Sequence, residues 1–290
     1  MLDYAKVRTW ESGDIRHTCT PQSAMLYALG VGMAQDPLDR NEIRYVTEKN
    51  LRVLPSMAAV LAHPGFWMRD RPEMGIDYVR MVHGEQSIHL HRPLPSEGTV
   101  VGRSRVTRVV DKGEGKGALV YVEKRLFGTD SDDLLAVCNS IVFCRADGGF
   151  SVSGGGDPPT ESPRATPQTP PDVVVDLQTR PESALIYRLS GDFNPLHSDP
   201  DVATEAGFPR PILHGLGTYG AACHGLVKGF CDYDPARLKS MSARFSAPTF
   251  PGDLIQLEGW RTADGIAFRA RVPARDVTVL SHGHAVCIAA

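Results

Sequence analysis

The feature that most constrains this chain is a pattern that occurs twice. In the first half, Arg92-Pro93-Leu94-Pro95-Ser96-Glu97-Gly98 leads into three strand-like runs, Thr99 to Val110, Ala118 to Phe127 and Leu134 to Cys144. In the second, Pro248-Thr249-Phe250-Pro251-Gly252-Asp253 leads into Leu254 to Arg261, Ile266 to Val272 and Val277 to Ile288. Each run is rich in Val, Ile and aromatics, alternates apolar with polar, and ends at Asp/Gly turns, which predicts two long antiparallel meanders. Ahead of them lie two segments apolar nearly all round, Gln22 to Val31 and Gly217 to Phe230, which predict helices buried in a core. A buried helix wrapped by an antiparallel sheet, given twice, is a duplicated α+β fold.

Between the halves, Gly148 to Asp172 is crowded with Gly, Pro, Ser and Thr, including Gly154-Gly155-Gly156-Asp157-Pro158-Pro159, Pro163, Pro167, Pro170 and Pro171. Such a stretch holds neither helix nor ladder and reads as a linker, flexible first and then polyproline-like. The division is therefore 1–147, a linker at 148–172, and 173–290. At about 150 residues per domain, the 290 residues fit two units.

The net charge of −3 offers no electrostatic footprint for nucleic acid or for an anionic membrane. No apolar run is long enough to span a bilayer, and the start, Met1-Leu2-Asp3-Tyr4-Ala5-Lys6, lacks the apolar stretch of a signal peptide. The six cysteines, at 19, 138, 144, 223, 231 and 287, form no CxxC pair and several sit in apolar runs. They read as reduced core thiols in a cytoplasmic setting.

The chemistry concentrates in Thr179 to Phe230. Thr179-Arg180-Pro181-Glu182 has the form of a capping box, with a short helix after it and Gly191 as a left-handed terminator. Asp199-Pro200 starts another short helix, which Gly207 ends. Between them runs Asp192-Phe193-Asn194-Pro195-Leu196-His197, where Asn-Pro enforces a turn and brings Asp192 and His197 to one side of a rigid loop. A carboxylate and an imidazole aimed at one point can hold and deprotonate a water. The plainer alternative is an Asp that caps its own loop beside a satisfied His. Further on, Arg210-Pro211-Ile212-Leu213-His214-Gly215-Leu216-Gly217 leads into the second buried helix. Gly215 lies near that helix's N-terminus, where free N–H groups favour charge developing on an oxygen.

Two other motifs carry less. Gly215-Leu216-Gly217-Thr218-Tyr219-Gly220 matches GxGxxG, but Pro209 and Pro211 stand where a dinucleotide fold needs a strand. His83, His89 and His91 invite a metal, yet His89-Leu90-His91 on a strand gives a same-face pair without a third ligand, so no metal is assigned.

Ser190-Gly191-Asp192-x-Asn194-Pro195-x-His197, with Leu213-His214-Gly215 downstream, resembles the signature of hydratase 2 and the MaoC-like (R)-specific enoyl-CoA hydratases. Tyr27-Ala28-Leu29-Gly30-Val31-Gly32, Leu54-Pro55 and Met81-Val82-His83-Gly84-Glu85-Gln86 extend the resemblance to the long hydratase 2 form, including the hydratase part of peroxisomal multifunctional enzyme type 2. The resemblance implies a double hot-dog fold, with an N-terminal repeat that binds acyl-CoA without catalysing and a C-terminal repeat with the catalytic loop. It implies syn addition of water to a trans-2-enoyl-CoA by Asp192 and His197, with Asn194 holding the loop and the Gly215 N–H receiving the thioester oxygen. No cofactor is expected, the CoA thioester being the substrate.

The contacts implied for substrate and CoA are His83, Gly84, Lys112, Phe193, Pro195, Leu196, His214, Arg244 and Phe245. Taken as bare residues, Lys112 is a turn lysine, ordinarily just solvated, and Phe245 a strand residue more often found in a core. Glu48 resembles an acidic residue of the family, on a loose local match. Three alternatives stay open: a hot-dog thioesterase, a dehydratase of carrier-protein thioesters, and a non-catalytic acyl-CoA-binding module. A homodimer is expected because hot-dog sheets commonly pair edge to edge. A peroxisomal location would apply only to a eukaryotic source, and no C-terminal targeting tripeptide is seen.

Overall fold

The computed structural model describes residues 2–129, 133–160 and 165–288; Pro163 of the linker lies outside them. Ten strands form one antiparallel sheet: β1 (Glu11–Cys19), β2 (Met81–Leu90), β3 (Gly98–Asp111), β4 (Ala118–Gly128), β5 (Leu134–Cys144), β6 (Val173–Gln178), β7 (Leu238–Phe245), β8 (Leu254–Thr262), β9 (Gly265–Val272) and β10 (Val277–Cys287). The helices are α1 (Tyr4–Arg8), α2 (Pro21–Gly30), α3 (Arg40–Ile43), α4 (Trp67–Asp70), α5 (Ser183–Tyr187), α6 (Pro200–Glu205) and α7 (Gly215–Phe230).

The strand order is β1-β3-β4-β5-β2-β7-β10-β9-β8-β6. Counted from each outer edge inward, both halves give the same order: first strand, third, fourth, fifth, second. This is the double hot-dog arrangement. The halves join where β2 pairs with β7, from Glu85 opposite Arg244 to His89 opposite Ser240.

The six alternating runs of the two meanders are strands within a residue or two of the positions their pattern predicts. The helices need a correction. The sequence pairs α2 with α7 as equivalent central helices, but α2 directly follows β1, as α5 follows β6, and α2 packs against α5. Leu29 of α2 is 41% exposed. The place of α7 in the first half is taken by a single 3₁₀ turn, Pro55–Ala59, whose five residues are all buried. The first sheet therefore wraps far less helix than the second.

Around α7 the packing is tight: a Cβ on Gly220 would come within 2.5 Å of Val31. Its N-terminus lies against the end of β7, where Gly215 meets Phe245. The described linker residues are also less free than their composition predicts. Asp157 bonds both ways with the Val109 backbone at 2.8 Å, Phe150 is buried against Tyr4, and the Trp260 indole N–H donates to the Thr169 carbonyl at 2.8 Å. Among the described residues no helix is long and apolar enough to cross a membrane.

Candidate active site

Two short segments build the site, and each local fold follows from its sequence. Thr179 does not cap a helix; its hydroxyl is committed to the Asp253 carbonyl and the Gly252 N–H, so α5 begins only at Ser183. The chain then leaves through Gly191, whose φ of +114° an L side chain resists. Asp192 accepts from the Asn194 N–H at 3.2 Å, and Asn194 accepts from the Leu196 N–H at 3.1 Å. These two Asx bonds start the 3₁₀ turn Pro195–His197 and make the loop rigid. Asp199 caps α6, and Gly207 closes it at φ +85°.

The loop is tied to the segment before α7 by two imidazoles running in opposite directions. His197 Nδ1–H donates to the Ile212 carbonyl at 2.9 Å, and His214 Nε2–H donates to the Asp192 carbonyl at 3.1 Å. A carbonyl can only accept, so each bond fixes its ring's tautomer. His197 is left with a bare Nε2. The two rings stack with centroids 3.7 Å apart. Asp192, His197 and His214 present ligand-type atoms that all lie within 4.8 Å of one another. By donor type that set is also one a divalent cation could use, a grouping that the spacing of His83, His89 and His91 did not reveal.

Burial lowers the pKa of His197, while its bond to Ile212 and the charge of Asp192 push the other way. Burial and then the neighbouring His197 bring His214 down to about 4. Both rings are therefore neutral at neutral pH, and His197 is a base rather than a cation there. The α7 N-terminus begins at Gly215 with no side chain capping it. Its first N–H groups have no helical partner.

The first half supplies the opposite wall. At Gly84 the register of β2 against β5 slips, a bulge that re-aims His83. The His83 ring meets Phe245 at 4.7 Å, and a Cβ on Gly215 would sit 3.4 Å from the same Phe245 ring. His83 Nε2–H donates to the Glu85 carbonyl, and burial takes its pKa down to about 4. Arg244 Nη2 and Nε donate to Glu85 Oε1 at 2.6 and 2.9 Å, a bridge across the seam. Lys112 is exposed over the Phe143 ring at 4.7 Å, and Phe143 pairs directly with Val82 of β2.

The structure thus gathers Asp192, His197, Gly215, Phe245 and His83. Others fall outside. His214 is 1% exposed and holds loop backbone instead of facing a ligand. Phe193 is 57% exposed beneath the Arg188 guanidinium, and Pro195 also faces outward, because the Asx bonds turn them away from the stacked rings. Leu196 is half-buried.

Glu48 is exposed, and the buried acid of that region is Glu42. Glu42 accepts from His224 Nε2–H and Lys228 Nζ at 3.0 Å each, both on α7, and from the Ala34 N–H at 2.9 Å. His63 was also not singled out. Its Nδ1 accepts from the Gly65 N–H, and it lies close enough to feel the charge of Asp192 and the ring of His83. The only sequence signal for it is an imidazole in His63-Pro64-Gly65, a turn between two apolar runs.

Residues 162–282 match the MaoC like domain family and residues 17–146 match the MFE-2 hydratase 2 N-terminal domain family. The chain is 37% identical over 280 residues to peroxisomal enoyl-CoA hydratase 2 of Arabidopsis thaliana, covering 92% of this chain and 90% of that one. It is 40% identical over 266 residues to 3-hydroxyacyl-thioester dehydratase Y of Mycobacterium tuberculosis, covering 89% and 87%. Among solved structures, a MaoC-like dehydratase from Phytophthora capsici superposes with a TM-score of 0.86 at 30% identity, covering all of both chains.

Proposed function

The chain belongs to the enoyl-CoA hydratase 2 family of MaoC-like hydro-lyases, and from that membership we propose that it adds water to trans-2-enoyl-CoA thioesters at the Asp192–His197 loop, giving (3R)-hydroxyacyl-CoA. The observation that carries this reading is the bare Nε2 of His197, fixed by the bond from Nδ1 to Ile212 and set beside Asp192.

In this reading a water sits between the Asp192 carboxylate and His197 Nε2. His197 takes a proton as the water oxygen bonds to C3 of the substrate. The C2–C3 π electrons move toward the thioester carbonyl, and the Gly215 N–H at the uncapped start of α7 steadies the enolate oxygen. The imidazolium, stabilised by Asp192, then returns a proton to C2. One group serves both carbons, so hydroxyl and proton arrive on the same face. Asn194 contributes by keeping the loop turned.

The first half, 1–147, provides the CoA-facing wall through His83, Gly84 and Lys112. Phe245 and Arg244 continue that wall across the seam from the second half, 173–290. Replacement of a central helix by the turn Pro55–Ala59 leaves that half room for an acyl chain. The linker, 148–172, connects the two.

Mixing the protein with crotonyl-CoA and with longer trans-2-enoyl-CoA esters tests the reading. Enoyl absorbance falls with no release of free thiol. Release of thiol in step with loss of ester would instead identify a thioesterase.

A further inference from the structure

The end of α7 and the end of the last strand bring two thiols into contact. The Cys231 thiol donates to Cys287 Sγ at 3.1 Å, across 56 positions of sequence. Cys231 is fully buried at the C-cap of α7, and Cys287 is half-buried at the end of β10, within reach of solvent.

Both backbones are fixed by contacts that do not involve sulfur. The turn after α7 passes through Asp232 and Tyr233 in left-handed conformation, and Tyr45 and Arg52 from the first half both donate to the Tyr233 carbonyl at 2.9 Å. Beyond β10, the Ile288 N–H donates to the Arg237 carbonyl at 2.9 Å, and Arg237 Nε donates back to the Ile288 carbonyl at 3.1 Å. A disulfide of about 2.05 Å would need the sulfurs to close by only about 1 Å. The other four cysteines, Cys19, Cys138, Cys144 and Cys223, are buried.

We propose that Cys231 and Cys287 form a reversible disulfide site, oxidised by a peroxide through Cys287 and reopened by a dithiol. The Cys287 thiolate attacks one peroxide oxygen and the O–O bond breaks. Sulfur is oxidised to the sulfenic acid, and hydroxide leaves to become water. The Cys231 sulfur then attacks the Cys287 sulfur, the S–O bond breaks, and a second water departs with the Cys231 proton. Two thiols and one peroxide give one disulfide and two waters.

The division of roles follows from surroundings. The bond from Cys231, together with Arg237 and Arg261, holds the Cys287 thiol below its usual range, while donating that bond and being buried hold Cys231 above it. The less buried, more acidic sulfur is the one an oxidant meets.

The test is stoichiometric hydrogen peroxide added to the whole reduced protein, followed by peptide mapping without reduction. The expected result is a cross-linked peptide joining Cys231 to Cys287, an intact mass lower by two hydrogens, and full reversal by dithiothreitol. The oxidised form should also melt higher, by on the order of 5 °C, as closing a long loop restricts the unfolded chain. In Cys231→Ser no cross-link forms; Cys287 stops at the sulfenic acid and goes on to sulfinic acid only when a second equivalent of peroxide is added. Sulfinic acid at Cys287 of the unsubstituted protein with no cross-link, or a cross-link joining other cysteines, would overturn the proposal.

Discussion

The imidazoles of His197 and His214 stack at 3.7 Å while each ring is bonded to the backbone of the other's segment. His214 thereby sets the position of Asp192 while itself buried. Replacing it by Phe keeps a stacking ring but removes the bond to the Asp192 carbonyl. His214→Phe is expected to lower kcat by about 10- to 100-fold, the size of effect that a small misplacement of reacting groups has, with KM nearly unchanged. Steady-state kinetics decide it. A rise in KM alone would make His214 a substrate contact.

Asp192→Asn and His197→Ala should each reduce turnover by about 10²–10⁴-fold and leave binding of a CoA thioester nearly intact. The pH profile adds a sign. His197 must be neutral to accept a proton, so kcat/KM falls as pH drops through its pKa, which burial sets below the ordinary imidazole value. The charge of Asp192 raises that pKa, so in Asp192→Asn the acid limb moves to still lower pH. An unmoved limb would mean that the titrating group is not His197.

The parts of this molecule legible in sequence are those set by local rules. The two meanders show because each strand carries its own alternation, and the catalytic loop shows because Asn194-Pro195 and Asp199-Pro200 dictate turns and caps within a few residues. β1 and the beginning of β2 were not legible. The first is an edge strand, Glu11-Ser12-Gly13-Asp14, with polar residues on both faces, and the second, Met81-Val82-His83-Gly84-Glu85, is polar and broken by a bulge. Glu42 was hidden for a different reason. Its partner His224 is 182 positions away, and nothing near an acid in Arg40-Asn41-Glu42-Ile43 tells that α7 will bury it. The linker's anchoring to Val109 and Trp260 is equally a matter of tertiary contact.

Glu42 links the first half to α7, and its removal should be felt in stability. Burial would raise its pKa, but bonds from His224, Lys228 and the Ala34 N–H outweigh that and hold it at about 2, against an ordinary 4.5. A carboxylate depressed on folding adds stability that is whole above pH 5 and is lost as pH falls toward 2. The difference amounts to on the order of 3 kcal/mol. Denaturant melts of Glu42→Gln should lie on the order of 2–3 kcal/mol below the parent at pH 7, and the gap should narrow by about half at pH 3 and close toward pH 2. A gap independent of pH would remove the ionised Glu42 from the account.

Lys112 lies exposed over the Phe143 ring. If it meets a CoA phosphate, Lys112→Ala raises KM for an enoyl-CoA by about 10-fold, the loss of one charge-assisted contact, and leaves KM for the matching enoyl-pantetheine unchanged. Equal changes for both thioesters would place Lys112 elsewhere.

The central claim is that a single face of the substrate meets both the water and the proton, through Asp192 and His197 opposite the Gly215 N–H. Hydration of crotonyl-CoA in D₂O, with NMR assignment of the deuterium at C2 relative to the hydroxyl at C3, tests it most directly. The account predicts (3R)-hydroxyl and deuterium added on the same face. Addition on opposite faces would require two separate donors and would contradict it.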